Sequence, residues 1–136
     1  MQFPSPIWYV DDNEADILLA QIIFEELCPD IPLQVFNSLD RFEAHLADWQ
    51  ASNAPSPMFV LMDLHFPNGY AWDTISKVRG RFSAHELPVY LFSASYDPQV
   101  PFRAKSMGVN QFYRKQIGFQ QNLDFFRDLL ALPSVA

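Results

Sequence analysis

The sequence predicts an α/β fold in which a doubly wound, five-stranded parallel sheet carries helices on both faces. Short runs rich in β-branched and aromatic residues alternate five times with stretches of helical periodicity, as in parallel strands joined by crossover helices. The runs at 7–10 (Ile-Trp-Tyr-Val) and 58–62 (Met-Phe-Val-Leu-Met) are apolar at consecutive positions, which is typical of central strands covered on both faces. The strand order expected for such a sheet is 2-1-3-4-5.

Five strands and five helices follow from this pattern, each strand preceding a helix. The predicted strands are 7–10, 32–36, 58–62, 89–92 and 111–113. The predicted helices are 14–27, 39–50, 71–82, 100–107 and 119–132. Asp12 or Asn13 is available as the N-cap of the first helix, Ser38 caps the second, and Pro133 ends the last. The segment 51–57, with two Pro and two Ser, is expected to be a surface loop.

The first predicted helix has two apolar faces. One face has the spacing of a stripe that packs on the sheet, and it consists of Leu19, Ala20, Ile23 and Leu27. A different face carries Ala15, Leu18 and Ile22. This second face either widens the core stripe or forms an apolar docking surface for a partner helix, and the sequence leaves both readings open.

The composition indicates a globular protein. With 136 residues, 49% of them hydrophobic and 18% charged, a single domain over 1–136 with its core at about 7–132 is expected. Sixteen acidic residues against nine Lys and Arg give a net charge of −7, which disfavours binding to nucleic acid.

Cysteine content and hydropathy both indicate a cytoplasmic protein. The chain has one cysteine, Cys28, so an intrachain disulfide is excluded and a reducing compartment fits. Residues 1–6 lack the basic and apolar regions of a signal peptide, and no apolar run approaches the ~18 residues of a membrane span. A cytoplasmic protein without a membrane partner is expected.

Three carboxylates follow two strands that are neighbours in the predicted sheet. Asp11 and Asp12 end the first strand and Asp63 ends the third. The crevice beyond the carboxyl ends of these strands is the topological switch point, where ligands bind in such sheets. Three like charges in one crevice are unfavourable unless a cation neutralises them or one acid is protonated, and a cluster of oxygen-only ligands suits Mg²⁺. The alternative is that Asp11 or Asp12 is a helix cap and Asp63 a turn residue.

A hydroxyl and an ammonium group are predicted at the same edge of the sheet. Ser93 ends the fourth strand, and Lys115 comes directly after the fifth. Singly, a serine after a strand is usually a turn former and a lysine usually a solvated charge. Beside Asp63 they complete a set suited to phosphoryl transfer, in which Lys115 would neutralise one phosphoryl oxygen and Ser93 would bond another.

These residues, in this order, resemble the receiver domain of bacterial response regulators. The marks are the run Asp-Asp-Asn-Glu-Ala-Asp at 11–16, Asp63 with Pro67, Ser93-Ala94, and Gly108 followed by Phe112 and Lys115. The resemblance extends from Ile7 to about Leu132 and implies the (βα)5 flavodoxin-like, or CheY-like, fold. Residues 12–16 are also similar to those of small regulators that serve phytochrome-type kinases, and a light signal is left open.

The resemblance implies a role for each strand-end residue. Asp63 is expected to accept a phosphoryl group from a phosphohistidine and to lose it slowly by its own hydrolysis. Mg²⁺ is the expected cofactor. Its implied ligands are Asp12 and Asp63 directly, Asp11 through water, and the backbone carbonyl of His65.

The implied switch residues are Ser93, whose hydroxyl moves toward the phosphoryl group, and Phe112, whose ring follows it; Lys115 pairs with the phosphate. The surface of helix four, strand five and helix five then changes shape.

Three departures from the family pattern are visible. Gly69 comes two residues early after Asp63, which predicts a shortened turn into the third helix. Gln116 stands where the family generally has Pro, so the usual cis-proline candidate is absent. His65 and Ser95 occupy positions that tune the lifetime of the acyl phosphate in this family.

The chain has three histidines, and an imidazole beside Asp63 could serve several purposes. His65 is expected to be a partly exposed loop residue, with metal ligation by its ring or acceptance of a phosphoryl group as alternatives. His45 and His85 are scattered along the sequence and are expected to be surface residues.

Three functions are compatible with this set of residues. The leading one is a stand-alone phosphorylation switch, which is not an enzyme in the usual sense although it catalyses its own phosphorylation and dephosphorylation. The second is a degenerate pseudo-receiver that binds proteins without phosphorylation. The third is an aspartyl-phosphate hydrolase of the haloacid dehalogenase type, but that family has a second Asp where this chain has His65.

The expected upstream partner is a sensor histidine kinase or a histidine phosphotransfer domain. It would dock near the first helix, with Leu18 and Ile22 as candidate contacts. The downstream target is an unidentified protein, and homodimerisation is left open.

Overall fold

The structure, a computed structural model, describes residues 5–131. Its strands are β1 Ile7–Val10, β2 Leu33–Phe36, β3 Phe59–Asp63, β4 His65–Phe66, β5 Gly69–Tyr70, β6 Val89–Ser93 and β7 Gln111–Arg114. Its helices are α1 Glu14–Leu27, α2 Leu39–Gln50, α3 Trp72–Arg81, α4 Gln99–Ser106 and α5 Phe119–Ala131. All five predicted strands and helices are present, with ends within about one residue of the prediction. The predicted end of the last helix at Leu132 and the stop at Pro133 lie outside the described residues.

The main sheet has five parallel strands in the order β2-β1-β3-β6-β7. This is the predicted order 2-1-3-4-5, because the short strands β4 and β5 pair only with each other as an antiparallel hairpin. The hairpin is an addition to the prediction, which had only a shortened turn there. Its strands of two residues each are too short to give a periodic signal in the sequence.

The side chains of the sheet form one core on each face, because successive residues of a strand point to opposite sides. Trp8 and Val10 lie in a cluster with residues of α2 and α3, whereas Ile7 and Tyr9 lie in a cluster with residues of α1 and α5. All residues of β1 and β3 are buried, as predicted for central strands. Each large apolar side chain buried in this way stabilises the fold by roughly 1.5–3 kcal/mol.

Helix α1 begins after Asn13, whose side chain accepts a hydrogen bond from the Asp16 N–H. Of the two predicted N-caps, Asp12 and Asn13, the structure therefore has Asn13. Its buried face includes Ala20 and Ile23, as predicted, and also Phe24. Leu18 and Ile22 are 58% and 50% exposed, so they do not widen the core. The second face of the helix is therefore an apolar surface.

His45 corrects the prediction that it is a surface residue. Its ring is half-buried in α2, with its centroid 4.9 Å from that of Trp8 and 4.8 Å from that of Phe36. Burial lowers the pKa of His45, although the charge of Asp48 opposes this shift. His85 is exposed, as predicted. Within 5–131, no helix combines the length and the apolar character that crossing a membrane requires.

Candidate functional site

The predicted site residues come together at one edge of the main sheet. Asp11 and Asp12 follow β1 directly, Asp63 is the last residue of β3, and Ser93 is the last residue of β6. Lys115 follows β7 directly, and its backbone N–H donates to the Ser93 carbonyl at 2.9 Å. Because all these strands are parallel, their carboxyl ends meet at the same edge. The convergence expected from the sequence is thus present.

Three carboxylates form a cluster that could hold a metal ion. One oxygen from each of Asp11, Asp12 and Asp63 lies within 4.8 Å of the others. Asp11 and Asp63 are buried and Asp12 is half-buried. Burial raises the pKa of Asp63 to about 6; the Lys115 ammonium opposes this rise and the charge of Asp11 adds to it. A set of hard oxygen donors with a surplus of negative charge suits a divalent cation such as Mg²⁺.

Lys115 is the positive group of the site. Its Nζ donates to Asp63 Oδ2 at 3.1 Å and to Asp11 Oδ2 at 3.3 Å. A third and shorter bond, of 2.7 Å, goes to Asp16 Oδ2. Burial alone would lower the pKa of Lys115, but the bond to Asp16 and the charges of Asp63 and Asp11 raise it above its ordinary value. The lysine therefore stays protonated among these carboxylates.

Two residues of the site were missed from the sequence. Asp16 was recognised in the sequence only as part of the motif at 11–16, although an acid in the first turn of a helix that begins at the sheet edge is placed to face that edge. Tyr9 was counted as strand core, but its hydroxyl donates to Asp11 Oδ2 at 2.9 Å. The Asn13 N–H donates to Asp11 Oδ1 at 3.0 Å, so both oxygens of this buried carboxylate are held in place.

Ser93 is fully buried and already bonded. Its Oγ lies 3.1 Å from His65 Nε2 and accepts the Ser95 N–H at 3.0 Å. The His65 ring also meets the edge of Tyr70 across the hairpin, with ring centroids 5.0 Å apart. The prediction of a loop histidine is wrong in this respect: His65 belongs to β4, and its exposed side chain reaches the buried serine.

Phe112 lies on β7, opposite Leu91 of β6. It is half-buried and packs against the core cluster on the α3 side. With Ala104 and Val109 it lines an open cavity of about 310 Å³ between α4 and β7. The side chain therefore has space beside it on the α4–β7 face.

Gln116, which stands in place of the family's usual proline, donates from Nε2 to the Arg114 carbonyl at 3.0 Å. Among the residues that the structure describes, no peptide bond is cis.

Comparison of the sequence with protein-family models and with curated proteins gives no match. Solved structures, in contrast, are similar over most of the chain. The phosphorylated cyanobacterial phytochrome response regulator RcpA aligns with a TM-score of 0.81 at 20% identity, covering 93% of this chain and 91% of its own. A response regulator receiver domain from Rhodospirillum rubrum aligns with a TM-score of 0.79 at 17% identity, covering 96% and 94%.

A third similar structure is the Mn²⁺-bound form of the response regulator Rcp1, with a TM-score of 0.75, 20% identity and coverage of 93% and 91%. These likenesses agree with the sheet order described above. The chain therefore has the flavodoxin-like fold of response-regulator receiver domains and resembles that family over most of its length.

Proposed function

We propose that this chain is a response regulator of a two-component system in which Asp63 accepts a phosphoryl group. The observation that carries the proposal is the position of Asp63: its carboxylate shares one pocket with Asp11 and Asp12 and is bonded by Lys115 at 3.1 Å. A nucleophilic carboxylate, a metal-type donor set and an ammonium are the groups that phosphoryl transfer to an aspartate requires.

The proposed donor is the phosphohistidine of a sensor histidine kinase or of a histidine phosphotransfer domain. An Asp63 oxygen attacks phosphorus, a P–O bond forms, and the P–N bond breaks with its electron pair going to the imidazole nitrogen, which takes up a proton. Lys115 favours the ionised form of Asp63 before the attack. After the attack, its ammonium stabilises the negative charge on the phosphoryl oxygens. Water later hydrolyses the acyl phosphate and restores the carboxylate.

The residues present fit Mg²⁺, because the donors are carboxylate oxygens close enough together to share one cation. Asp12 and Asp63 are the proposed direct ligands, Asp11 a ligand through water, and the His65 carbonyl a further ligand. The ion would neutralise charge that builds up on the phosphoryl oxygens during transfer. Asp11 is suited to a fixed role because Tyr9 and Asn13 hold its two oxygens.

The proposed response is a change of surface. Ser93 would leave His65 and turn toward the phosphoryl group, and Phe112 would rearrange in the space between α4 and β7. A protein that binds the α4–β7–α5 face would then distinguish the two forms of the domain.

The proposed upstream contact is the apolar face of α1. Leu18 and Ile22 lie one helical turn apart, and at least half of each side chain is exposed. Such a pair suits docking against a helix of the kinase or phosphotransfer domain. The similar phytochrome response regulator makes a phytochrome-type kinase the first candidate donor. The proposed place of this transfer is the cytoplasm.

The proposal is tested by incubating the protein with acetyl phosphate and Mg²⁺ and measuring the intact mass. We expect a gain of one phosphoryl group in the wild type, none in Asp63→Asn, and none when a chelator removes the metal. Asp48→Asn, which alters an exposed acid of α2, should behave as the wild type. A wild type without the mass gain, or a gain that survives Asp63→Asn, contradicts the proposal.

The second candidate is a pseudo-receiver that binds its partner without phosphorylation. It is favoured by Gln116 in place of the usual proline and by the β4–β5 hairpin after Asp63. Calorimetric titration with Mg²⁺ separates the two, since a pseudo-receiver has no need to retain the metal. Metal binding that is lost in Asp63→Asn supports the first function.

A further inference from the structure

The Lys115 ammonium has its full complement of acceptors before any phosphoryl group arrives. An ammonium carries three hydrogens, and here Nζ has three carboxylate partners: Asp16 at 2.7 Å, Asp63 at 3.1 Å and Asp11 at 3.3 Å. The shortest bond goes to the one partner that is outside the metal-type cluster. A phosphoryl oxygen can bond Lys115 only if one of these partners gives way.

Asp16 is the partner whose release costs least. Asp11 is fully buried and fixed through both of its oxygens, so separating it from Lys115 would leave a buried carboxylate without its ammonium partner. The Asp16 side chain is 39% exposed, so water can replace the ammonium around its carboxylate. The third partner, Asp63, is itself the residue that would carry the phosphoryl group.

The charge on Asp16 also acts against a phosphoryl group at Asp63. Phosphorylation adds negative charge where the carboxylate of Asp63 now lies, close to Asp11 and Asp12. Among residues 5–131, Lys115 carries the only ammonium that is bonded to this cluster. Asp16 shares that ammonium and draws its positive charge toward α1. The occupied Lys115 ammonium and the negative charge of Asp16 therefore both weaken the binding of a phosphoryl group at Asp63.

We propose that Asp16 is a positioning residue that holds Lys115 in the unphosphorylated protein and competes with the phosphoryl group for its ammonium. The 2.7 Å bond thereby sets the affinity of the Asp63 pocket for a phosphoryl group below the value that Asp11, Asp12, Asp63 and Lys115 alone would give. This inference rests on the proposed function and adds to it a residue that tunes the site from the first turn of α1.

The experiment titrates the full chain, saturated with Mg²⁺, with beryllofluoride as a phosphoryl mimic and follows occupancy by calorimetry. Asp16→Asn should lower the half-saturating concentration about twofold to fivefold, the range expected for a partly exposed ion pair. The matched control is Glu14→Gln, which removes one negative charge from the same first turn of α1 but not from the lysine. It should keep the wild-type value, because the ion pairs of Lys115 go to Asp11, Asp16 and Asp63 and not to Glu14. A shift shared by both variants would instead come from the charge lost at the helix N-terminus.

Two further measurements separate competition for the lysine from a merely structural role. In a Lys115→Gln background, Asp16→Asn should no longer change the half-saturating concentration. Asp16→Glu, made in the wild-type background, keeps the carboxylate and should give a half-saturating concentration closer to the wild-type value than Asp16→Asn does. In the protein without metal or mimic, the Lys115 side-chain nitrogen resonance should shift in Asp16→Asn and not in Glu14→Gln.

Each result decides the inference. Unchanged or weaker binding of the mimic in Asp16→Asn, or an equal gain without Lys115, overturns it. If the wild type takes up no mimic, the proposed function and the inference fail together. If the wild type takes it up and Asp16→Asn matches it, the inference fails alone.

Discussion

At the scale of single residues, the site depends on side chains whose partners come from the core as well as from the pocket. Tyr9 is a core residue by burial, yet its hydroxyl bonds the buried carboxylate of Asp11. Burial, together with that carboxylate, raises the pKa of Tyr9, so the phenol remains a donor. A charged acceptor without access to water depends strongly on such donors.

We expect Tyr9→Phe to lower the free energy of unfolding by about 1.5–3 kcal/mol, because a buried charged acceptor loses one donor while the ring stays in place. Urea denaturation monitored by circular dichroism measures the change. Tyr96→Phe is the matched control, since Tyr96 is 77% exposed and contacts Arg114 through its ring face. Equal stability losses in the two variants would contradict the role given to the Tyr9 hydroxyl.

His65 gives a second residue-scale prediction, which concerns the resting position of Ser93. Because His65 Nε2 lies 3.1 Å from Ser93 Oγ, turning the hydroxyl toward a phosphoryl group first requires this contact to break. We expect His65→Ala to lower the half-saturating beryllofluoride concentration by about twofold to tenfold, the range of one net hydrogen bond. His85→Ala, at an exposed position, is the control; a variant that binds the mimic more weakly than the wild type would refute this role.

At the scale of elements, the β4–β5 hairpin connects the strand of Asp63 to α3 and carries His65. Its turn depends on Gly69, whose φ of +132° lies in a region that other residues rarely adopt. A Cβ at this position would meet no atom within 4 Å, so the backbone conformation, and not space, requires glycine. The early glycine that marks a departure from the family pattern is thus the residue that permits the hairpin.

Gly69→Ala should therefore destabilise the protein by about 1–3 kcal/mol, the cost of a strained backbone conformation. The matched control is Gly80→Ala: Gly80 lies in α3 with ordinary helical φ and open space at its Cβ, so alanine should stabilise by about 0.5–1 kcal/mol. Thermal unfolding of both variants measures the difference. Similar shifts of the same sign in the two variants would argue against a conformational role for Gly69.

The outer face of α1 is the element on which the proposed docking depends. We expect Leu18→Glu combined with Ile22→Glu to reduce the rate of phosphoryl transfer from the cognate kinase at least about tenfold, because two apolar contacts become charged. Labelling by acetyl phosphate should not change, since neither residue belongs to the site. Phe102→Glu on α4, at a 72% exposed position, should leave transfer from the kinase intact; an unaffected double variant would remove α1 as the docking face.

The elements could be predicted from the sequence much better than their side-chain contacts. Continuous apolar runs locate β1 and β3, and parallel topology then brings Asp11, Asp63, Ser93 and Lys115 to one edge without further information. The bonds of Asp16 to Lys115 and of His65 to Ser93 depend on how α1 and the hairpin sit over that edge. Periodicity carries no information on such placement, so these contacts could not be predicted.

At the scale of the whole molecule, the sheet divides the interior into two cores, and the core on the α2 side contains a titratable ring. His45 lies between Trp8 and Phe36, and burial holds its pKa below the ordinary value despite the opposing charge of Asp48. The folded protein therefore binds a proton at His45 less readily than the unfolded chain does. Stability from this residue is present above about pH 6.5 and is lost as the pH falls through the lower pKa of the folded state.

His45→Phe keeps an aromatic ring against Trp8 and Phe36 but cannot be protonated. We expect its midpoint of thermal unfolding to fall less between pH 7 and about pH 5 than that of the wild type. Asp63, whose pKa burial raises to about 6, contributes a dependence of opposite sign in both proteins, so the difference between the two curves isolates His45. His85→Phe should follow the wild-type curve because His85 is exposed; parallel curves for wild type and His45→Phe would show that His45 does not couple protonation to the packing of this core.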